Sequence, residues 1–192
     1  MEPRDLDRAA AAMAAAFADD GLYRYFIGDE DLRGRFLERF LRFRLRYGAA
    51  KGTVLVTDDC AGVAVWLPPG TTMTPWDPLR FGGLRAMLLC GKADRTRIMG
   101  FNSWADERMA QTAPAPHWHL SPICVAPAAQ RKGVGRALME RGLDLVQAGG
   151  APCCLETQSR GSAAFYAAMG FRTLAEDTVP GTDLPHILMI WP

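Results

Sequence analysis

The stretch that decides the fold is Ile123-Cys124-Val125-Ala126-Pro127-Ala128-Ala129-Gln130-Arg131-Lys132-Gly133-Val134-Gly135-Arg136-Ala137-Leu138-Met139. An apolar strand ends at a proline, a short polar loop follows, and a helix opens at two glycines. Amides in the first turn of a helix have no partner within it, and the helix dipole adds positive potential there. Such a turn suits phosphate oxygens. Gly133 and Gly135 carry no Cβ, so a ligand can approach the backbone closely. Arg131, Lys132 and Arg136 add charge. The turn lacks the third glycine of a dinucleotide fingerprint and the Lys-Ser/Thr ending of a P-loop, which argues against NAD and ATP.

Outward from this stretch, strands and helices alternate. His117–Val125, Pro152–Thr157, Phe171–Thr178 and Leu184–Trp191 read as strands. Gly133–Ala148 and Ser162–Met169 read as helices, the second closed by Gly170. Strand–helix–strand connections imply crossovers and a partly parallel sheet. Upstream, Lys51–Thr57 and Cys60–Leu67 alternate around Asp58-Asp59 and predict a hairpin. Helices are predicted over Arg4–Phe17, Glu30–Tyr47, Leu79–Cys90 and Thr96–Ala110, with a break at Gly91. Asp29 is placed to cap the second of these.

In the Glu30–Tyr47 helix, Arg35, Arg39, Arg42 and Arg46 share one face, while Arg44 falls within the apolar arc. Two readings stand for this arginine set: a solvated face with Arg44 paired or snorkelling, or a cationic contribution to a substrate or cofactor pocket.

The bulk composition narrows the classes. The chain has 192 residues, 49% hydrophobic and 22% charged, with a formal net charge of +1. It reads as one domain spanning 1–192, with no global charge argument for nucleic acid or an anionic membrane. No apolar run reaches membrane-span length, and the N-terminal alanines suit an amphipathic helix better than a signal peptide. Five cysteines without a CxxC pair are expected as buried small hydrophobes in a reducing, cytoplasmic setting.

The sequence resembles the GNAT superfamily of N-acetyltransferases. Gln130-x-x-Gly133-x-Gly135 after a Val-x-Pro strand is similar to its acetyl-CoA signature. Leu155-Glu156-Thr157 followed by Phe165-Tyr166-Ala167-Ala168-Met169-Gly170-Phe171 is similar to its later strand–helix block. Phe17–Asp20, Val63–Gly70, His117–Leu120 and Leu155 also resemble the branch that contains puromycin N-acetyltransferase.

The resemblance implies an α/β (α+β by some schemes) acyl-CoA N-acyltransferase fold. Its central sheet is mixed, mostly antiparallel, splayed between the strands at 117–125 and 152–157, and flanked by helices. It implies acetyl-CoA as cosubstrate, no metal, and direct transfer to a primary amine of a small molecule in a ternary complex. It implies no nucleic-acid or membrane partner, in a monomer or homodimer. The implied cofactor-binding residues are Ile123, Cys124, Val125, Gln130, Arg131, Lys132, Gly133, Val134, Gly135, Arg136, Ser159, Ser162 and Phe165. Pantetheine is expected to pair with the backbone at Ile123–Val125 as an added strand, with an amide near Val125 serving the oxyanion.

Tyr166 is the expected general acid, since a phenol with a reference pKa of about 10 stays protonated at neutral pH. For the base, Glu156, His119 and a water relay stay open, and a His117-x-His119 metal site is a further, less favoured reading. Tyr23, Phe26 and Trp66 are candidate acceptor contacts against a plain core role. Asp19 and Asp20 either hold an ammonium group or end a helix.

Three departures from the family pattern carry expectations. Little room exists before Arg4 for the family's opening strand. Ser159 stands where the family often has Asn, so a carboxamide's second contact is lost. Pro122 removes a ladder donor and suits a bulge in the splayed strand. Three other classes remain alongside the leading one: a non-catalytic acyl-CoA sensor, a protein or peptide N-acetyltransferase, and a nucleic-acid binder using the arginine helix.

Overall fold

A computed structural model describes residues 3–192, with side chains from Asp5 onward. Helix α1 (Pro3–Phe17) comes first, and no strand precedes it among the described residues. The aromatic segment after it, to which the sequence reading assigns no element, is a short helix, α2 (Gly21–Phe26). Asp20 makes the difference, because its carboxylate accepts from the amides of Leu22 at 2.9 Å and Tyr23 at 3.2 Å.

Helix α3 (Glu30–Lys51) starts where its sequence predicts, with Asp29 accepting from the Leu32 amide at 2.7 Å. Arg33, near its start, is buried and ties the preceding turns together. It donates to the carbonyls of Ala18 at 3.1 Å, Ile27 at 3.0 Å and Gly28 at 3.2 Å.

The hairpin follows as β1 (Thr53–Val56) and β2 (Gly62–Leu67), paired antiparallel. The single helix expected over Leu79–Cys90 is instead two, α4 (Asp77–Phe81) and α5 (Gly83–Met87), parted at Gly82. Helix α6 (Lys92–Thr112) begins four residues before its expected start at Thr96, since the Asp94 carboxylate accepts from the Gly91 amide at 3.1 Å. Then come β3 (Trp118–Val125), α7 (Val134–Gly149), β4 (Cys153–Thr157), α8 (Arg160–Ala168), β5 (Arg172–Thr178) and β6 (Pro185–Trp191).

The six strands form one open sheet in the order β1-β2-β3-β4-β6-β5. Only β3 and β4 run parallel; every other neighbouring pair is antiparallel. All six residues of β2 are buried because helices cover both faces of the sheet. Val63 and Val65 join the core under α1 and α3, with Leu37, Leu41 and Leu45. Ala64 and Trp66 join the opposite core under α7, with Leu138, Met139 and Leu155. Alternation along one strand thus supplies both cores.

Trp66 is wholly buried there, and a methyl added at Gly142 of α7 would overlap its indole. Only glycine lets the helix lie this close to the ring. The five cysteines are buried and unpaired. No described helix is long and apolar enough to cross a membrane.

Candidate active site

Strands β3 and β4 pair at only two positions, Trp118 with Cys153 and His119 with Cys154. From Leu155 to Thr157, β4 continues fully paired with β6 on its other side. Strand β3 continues paired with β2 as far as Val125. The facing edges of the two central strands therefore part into a wedge, as the sequence predicts. Unpaired strand edges are ready to accept an extended chain.

The bulge expected at Pro122 is present. Register slips between Ala64 and Trp66, so Ser121 and Pro122 together oppose Val65. Arg44 fills the gap from the α3 side. Its Nη2 donates to the Ser121 hydroxyl at 2.7 Å and the Ser121 carbonyl at 3.2 Å. The arginine that falls in the apolar arc of α3 therefore points at the base of the wedge. Burial pulls its pKa down, while Tyr23 and Glu156 act in the opposite sense.

At the C-terminal end of β3 the chain makes a 3-10 turn over Pro127–Ala129. The Gln130 carboxamide donates to the Val125 carbonyl at 3.0 Å and so shapes the loop. Arg131 and Gly133 both have positive φ, 60° and 83°, which turns the chain sharply into α7. At Gly133 that conformation is free of Cβ strain.

No side chain caps α7, and its first turn holds no acidic residue. The first helical bond runs from the Ala137 amide to the Gly133 carbonyl at 3.0 Å. The amides of Val134, Gly135 and Arg136 are left for an anion. Arg131 and Lys132 are exposed beside them, and Arg136 lies 3.5 Å from Glu140. Lys132, Gly133 and Val134 also border an open groove of about 620 Å³ against β1.

The two sequence blocks meet at this turn. A Cβ at Gly135 would sit 3.6 Å from Val125 and 3.7 Å from Phe165. Phe165 packs edge-on against Tyr166, with centroids 5.5 Å apart. Tyr166 is buried, flanked on its other side by Phe171 at 5.9 Å. Burial and the Cys124 thiol push its phenol pKa up, so the group stays protonated. Cys124 belongs to the core on the α3 face and Tyr166 to the core on the α7 face.

Ser159 caps α8 by accepting from the Ser162 amide at 3.2 Å. Both serines are thus used in starting the helix that carries Phe165 and Tyr166.

The candidate bases separate clearly. Glu156, half-buried on β4, has its pKa raised to about 7. Burial is the largest cause, Asp106 of α6 adds to it, and Arg44 opposes it. His119 is pushed down to about 3 by burial first, then by Arg44 and His117. It is a neutral imidazole at physiological pH and a weak base. His117 donates from Nδ1 to the Pro114 carbonyl at 2.7 Å. Among the described residues no set of three His, Cys, Asp or Glu side chains is grouped to hold a metal.

Sequence reasoning passed over the support for Glu156. His186, buried on β6, places Nε2 3.4 Å from Glu156 Oε2 and accepts at Nδ1 from Gln158 Nε2 at 2.9 Å. Burial lowers its pKa to about 4, so the neutral ring keeps its proton on the Glu156 side. Trp104 packs against that ring at 4.8 Å. The detectable signal was a lone histidine at the head of the continuous apolar run of the last strand, but its partners lie on elements far away in sequence.

The acceptor-side candidates divide. Tyr23 is half-buried, packed edge-on against Phe17, Phe26 and Phe40, and its phenol pKa is raised by burial first. Phe26 is buried against Phe101 at 5.4 Å. Trp66 lies entirely in the α7 core, with no surface to offer an acceptor. Phe26 and Trp66 are therefore packing residues in this structure. Asp20 is used as a helix cap, and Asp19 pairs with Arg24 at 2.7 Å.

Residues 90–173 match the family model described as acetyltransferase (GNAT) domain. That span includes the wedge, the glycine turn and Tyr166. An uncharacterised N-acetyltransferase of Schizosaccharomyces pombe is 25% identical over 178 residues, covering 89% of this chain and 72% of its own length. In structure, the chain is similar to a protein of Corynebacterium glutamicum described as histone acetyltransferase HPA2 and related acetyltransferase. That likeness has a TM-score of 0.64 at 21% identity, over 100% of this chain and 93% of the other. It is also similar to Chaetomium thermophilum Naa20, solved with a bisubstrate analogue. Here the TM-score is 0.54 at 16% identity, over 100% and 84% of the two chains. The structural likenesses are likenesses of fold. Over residues 90–173 the chain is thus similar to a GNAT acetyltransferase domain, and its likeness to a named N-acetyltransferase extends over most of its length.

Proposed function

We propose that this enzyme transfers an acetyl group from acetyl-CoA to the primary amine of a small molecule, both substrates being bound together. One observation carries the reading: the wedge between β3 and β4 opens beside a glycine turn whose amides are free, with Glu156 and Tyr166 on elements that border it. Acetyl-CoA fits this arrangement, since the bare backbone at Gly133 and Gly135 admits a diphosphate and the open β3 edge admits an extended pantetheine. It supplies the activated acetyl thioester.

The residues then take distinct tasks. The amides of Val134–Arg136 fix the phosphates, and the free edge around Ile123–Val125 orients the tail. Glu156, with a pKa of about 7, is ionised in a large fraction of molecules at neutral pH and takes a proton from the amine. His186 lies beside its carboxylate, with Nε2 3.4 Å from Oε2. Tyr166 keeps its proton and gives it to the departing sulfur. Glu156 is preferred over His119 because a base with a pKa near the working pH removes protons more effectively than one near 3.

A small acceptor is favoured by the tethered turn beyond the Thr157 end of β4, the end at which the wedge opens. The turn between β5 and β6 is tied to α2, where the Tyr25 hydroxyl donates to the Pro180 carbonyl at 3.3 Å. It is tied to α6 by Arg108, which pairs with Asp177 at 2.6 Å. A chain end would need this strap to move. Release of free thiol from acetyl-CoA, measured across antibiotic, arylalkylamine, polyamine and peptide amines, tests the proposal. Turnover confined to small amines is expected. Faster turnover on peptide N-termini or lysines would overturn the acceptor assignment, and no turnover with any amine would overturn the enzyme mechanism.

A further inference from the structure

On the far side of α3 from the wedge lies a cavity of about 320 Å³ with cationic walls. Arg39, Arg42 and Arg46 line it from α3, and Arg85 lines it from α5. Phe81 and Leu88 supply apolar surface, and Leu88 is two-thirds exposed at 67%. At about 100° per residue, Arg44 projects some 200° away from Arg42, so this cavity and the wedge lie on opposite sides of one helix.

Of the two readings of the arginine face, this cavity favours the cationic pocket, although Arg39 and Arg46 stay exposed, and α5 brings a fourth guanidinium of the same sign.

The cavity concentrates charge of one sign in a chain whose Lys plus Arg number 22 against 21 acidic residues. Arg42 pairs there with Asp7 at 3.0 Å. Among the described residues Arg39, Arg46 and Arg85 have no carboxylate partner. Arg39 instead donates to the Arg85 carbonyl at 3.4 Å, across the cavity. Like charges collected around one concavity, three of the four without a carboxylate, raise the local concentration of anions.

We propose that this cavity is a second ligand site, for a small molecule bearing two or more negative charges of the phosphate type. Its volume lies at the low end of the range for small-molecule pockets, which suits a diphosphate or a nucleotide's phosphate chain and not a protein segment. Guanidinium groups bind phosphate oxygens in pairs, and four of them match a polyanion better than a monoanion. The site is distinct from the glycine turn, which holds anions by backbone amides on the other face of the sheet.

Calorimetric titration of inorganic pyrophosphate, and separately of ATP, into the full-length protein holding one equivalent of acetyl-CoA tests this. One further binding event is expected, weakened by added salt. In the double variant Arg46→Gln, Arg85→Gln its affinity falls about tenfold or more, while melting temperature and acetyl-CoA affinity stay unchanged. Protection of Arg46 and Arg85 from phenylglyoxal by pyrophosphate, mapped by mass spectrometry, gives a readout independent of the variant. No binding beyond acetyl-CoA, an affinity indifferent to the double variant, or no protection overturns the proposal. Binding of ATP without pyrophosphate also overturns it, because the phosphates would then not be the recognised group.

Discussion

Two regions of this molecule are proposed to meet anions, and they would do it by opposite means. The turn from β3 into α7 offers backbone: glycines, positive φ and amides left over by a helix start. The cavity under α4 and α5 offers side chains, four guanidiniums carried by two helices. A backbone site is rigid and short-ranged, since its donors are fixed by the fold. A side-chain site is long-ranged and screened by salt. The comparison teaches where precision would be needed: under the proposed function the turn aims a reactive tail at Tyr166, whereas the proposed cavity site has only to hold charge.

The largest expected effect lies where the backbone site delivers its ligand. Tyr166→Phe keeps the ring packed between Phe165 and Phe171 but removes the proton donor. Its kcat should fall by about a hundredfold or more, with CoA affinity unchanged, in a thiol-release assay. A fall in affinity with kcat preserved would assign the phenol to binding.

Next comes Glu156→Gln, for which kcat should also drop by roughly a hundredfold. In the parent enzyme, activity should rise with pH through about 7 as Glu156 ionises, and this limb should vanish in the variant. A limb that survives would point to another base.

Smaller effects separate the two kinds of anion site. Removing charge at the turn, with Arg131→Ala and Lys132→Ala, should weaken CoA binding only a few-fold at physiological salt, since both groups are exposed and screened. If these variants abolish binding, the backbone is not the principal ligand.

The smallest effects concern stability. Burial holds His119 and His186 neutral, with folded pKa values of about 3 and about 4 against 6.5 for the free side chain. Depressed values mean that stability is lost as pH falls below about 6.5, because the unfolded chain takes up protons first. Glu156 runs the other way: its raised value favours the folded state most below about 4.5 and ceases to do so as pH rises through about 7. Thermal melts from pH 4 to 8 should show the acid limb reduced in His186→Gln and the neutral limb reduced in Glu156→Gln.

Much of the fold was legible because its signals are local. The period-two runs of the hairpin, the capping Asp29, the glycine spacing of the turn and Gly170 after α8 each lie within a few residues of what they specify. Pro122 announced its bulge for the same reason. The elements that were misread also have local causes. Gly82 splits the helix expected over Leu79–Cys90, and the Asp20 cap makes a helix of an aromatic segment too short to show periodicity.

The site was legible only in part. Its backbone half is written in glycines, but its base is tuned by distant partners. Glu156 owes its raised pKa first to burial and then to Asp106 on α6, against the pull of Arg44 on α3, and its neighbour His186 comes from β6. No spacing rule links these positions. Trp66 shows the converse limit, since an alternating strand gives no sign of which aromatic faces a cleft and which lies under Gly142.

The central claim is that unoccupied backbone at the start of α7 grips the diphosphate of acetyl-CoA. Calorimetric titration of CoA into the parent protein and Gly135→Ala tests it most directly. The added methyl stands in ordinary contact with Val125 and Phe165, and alanine is the better helix former by about 1 kcal/mol, so the variant should fold at least as stably. The account predicts one CoA site in the parent protein and binding at least about tenfold weaker in the variant, because the methyl occupies the ligand's approach to the amides. Equal affinity in both proteins, or no CoA binding by the parent, would contradict it.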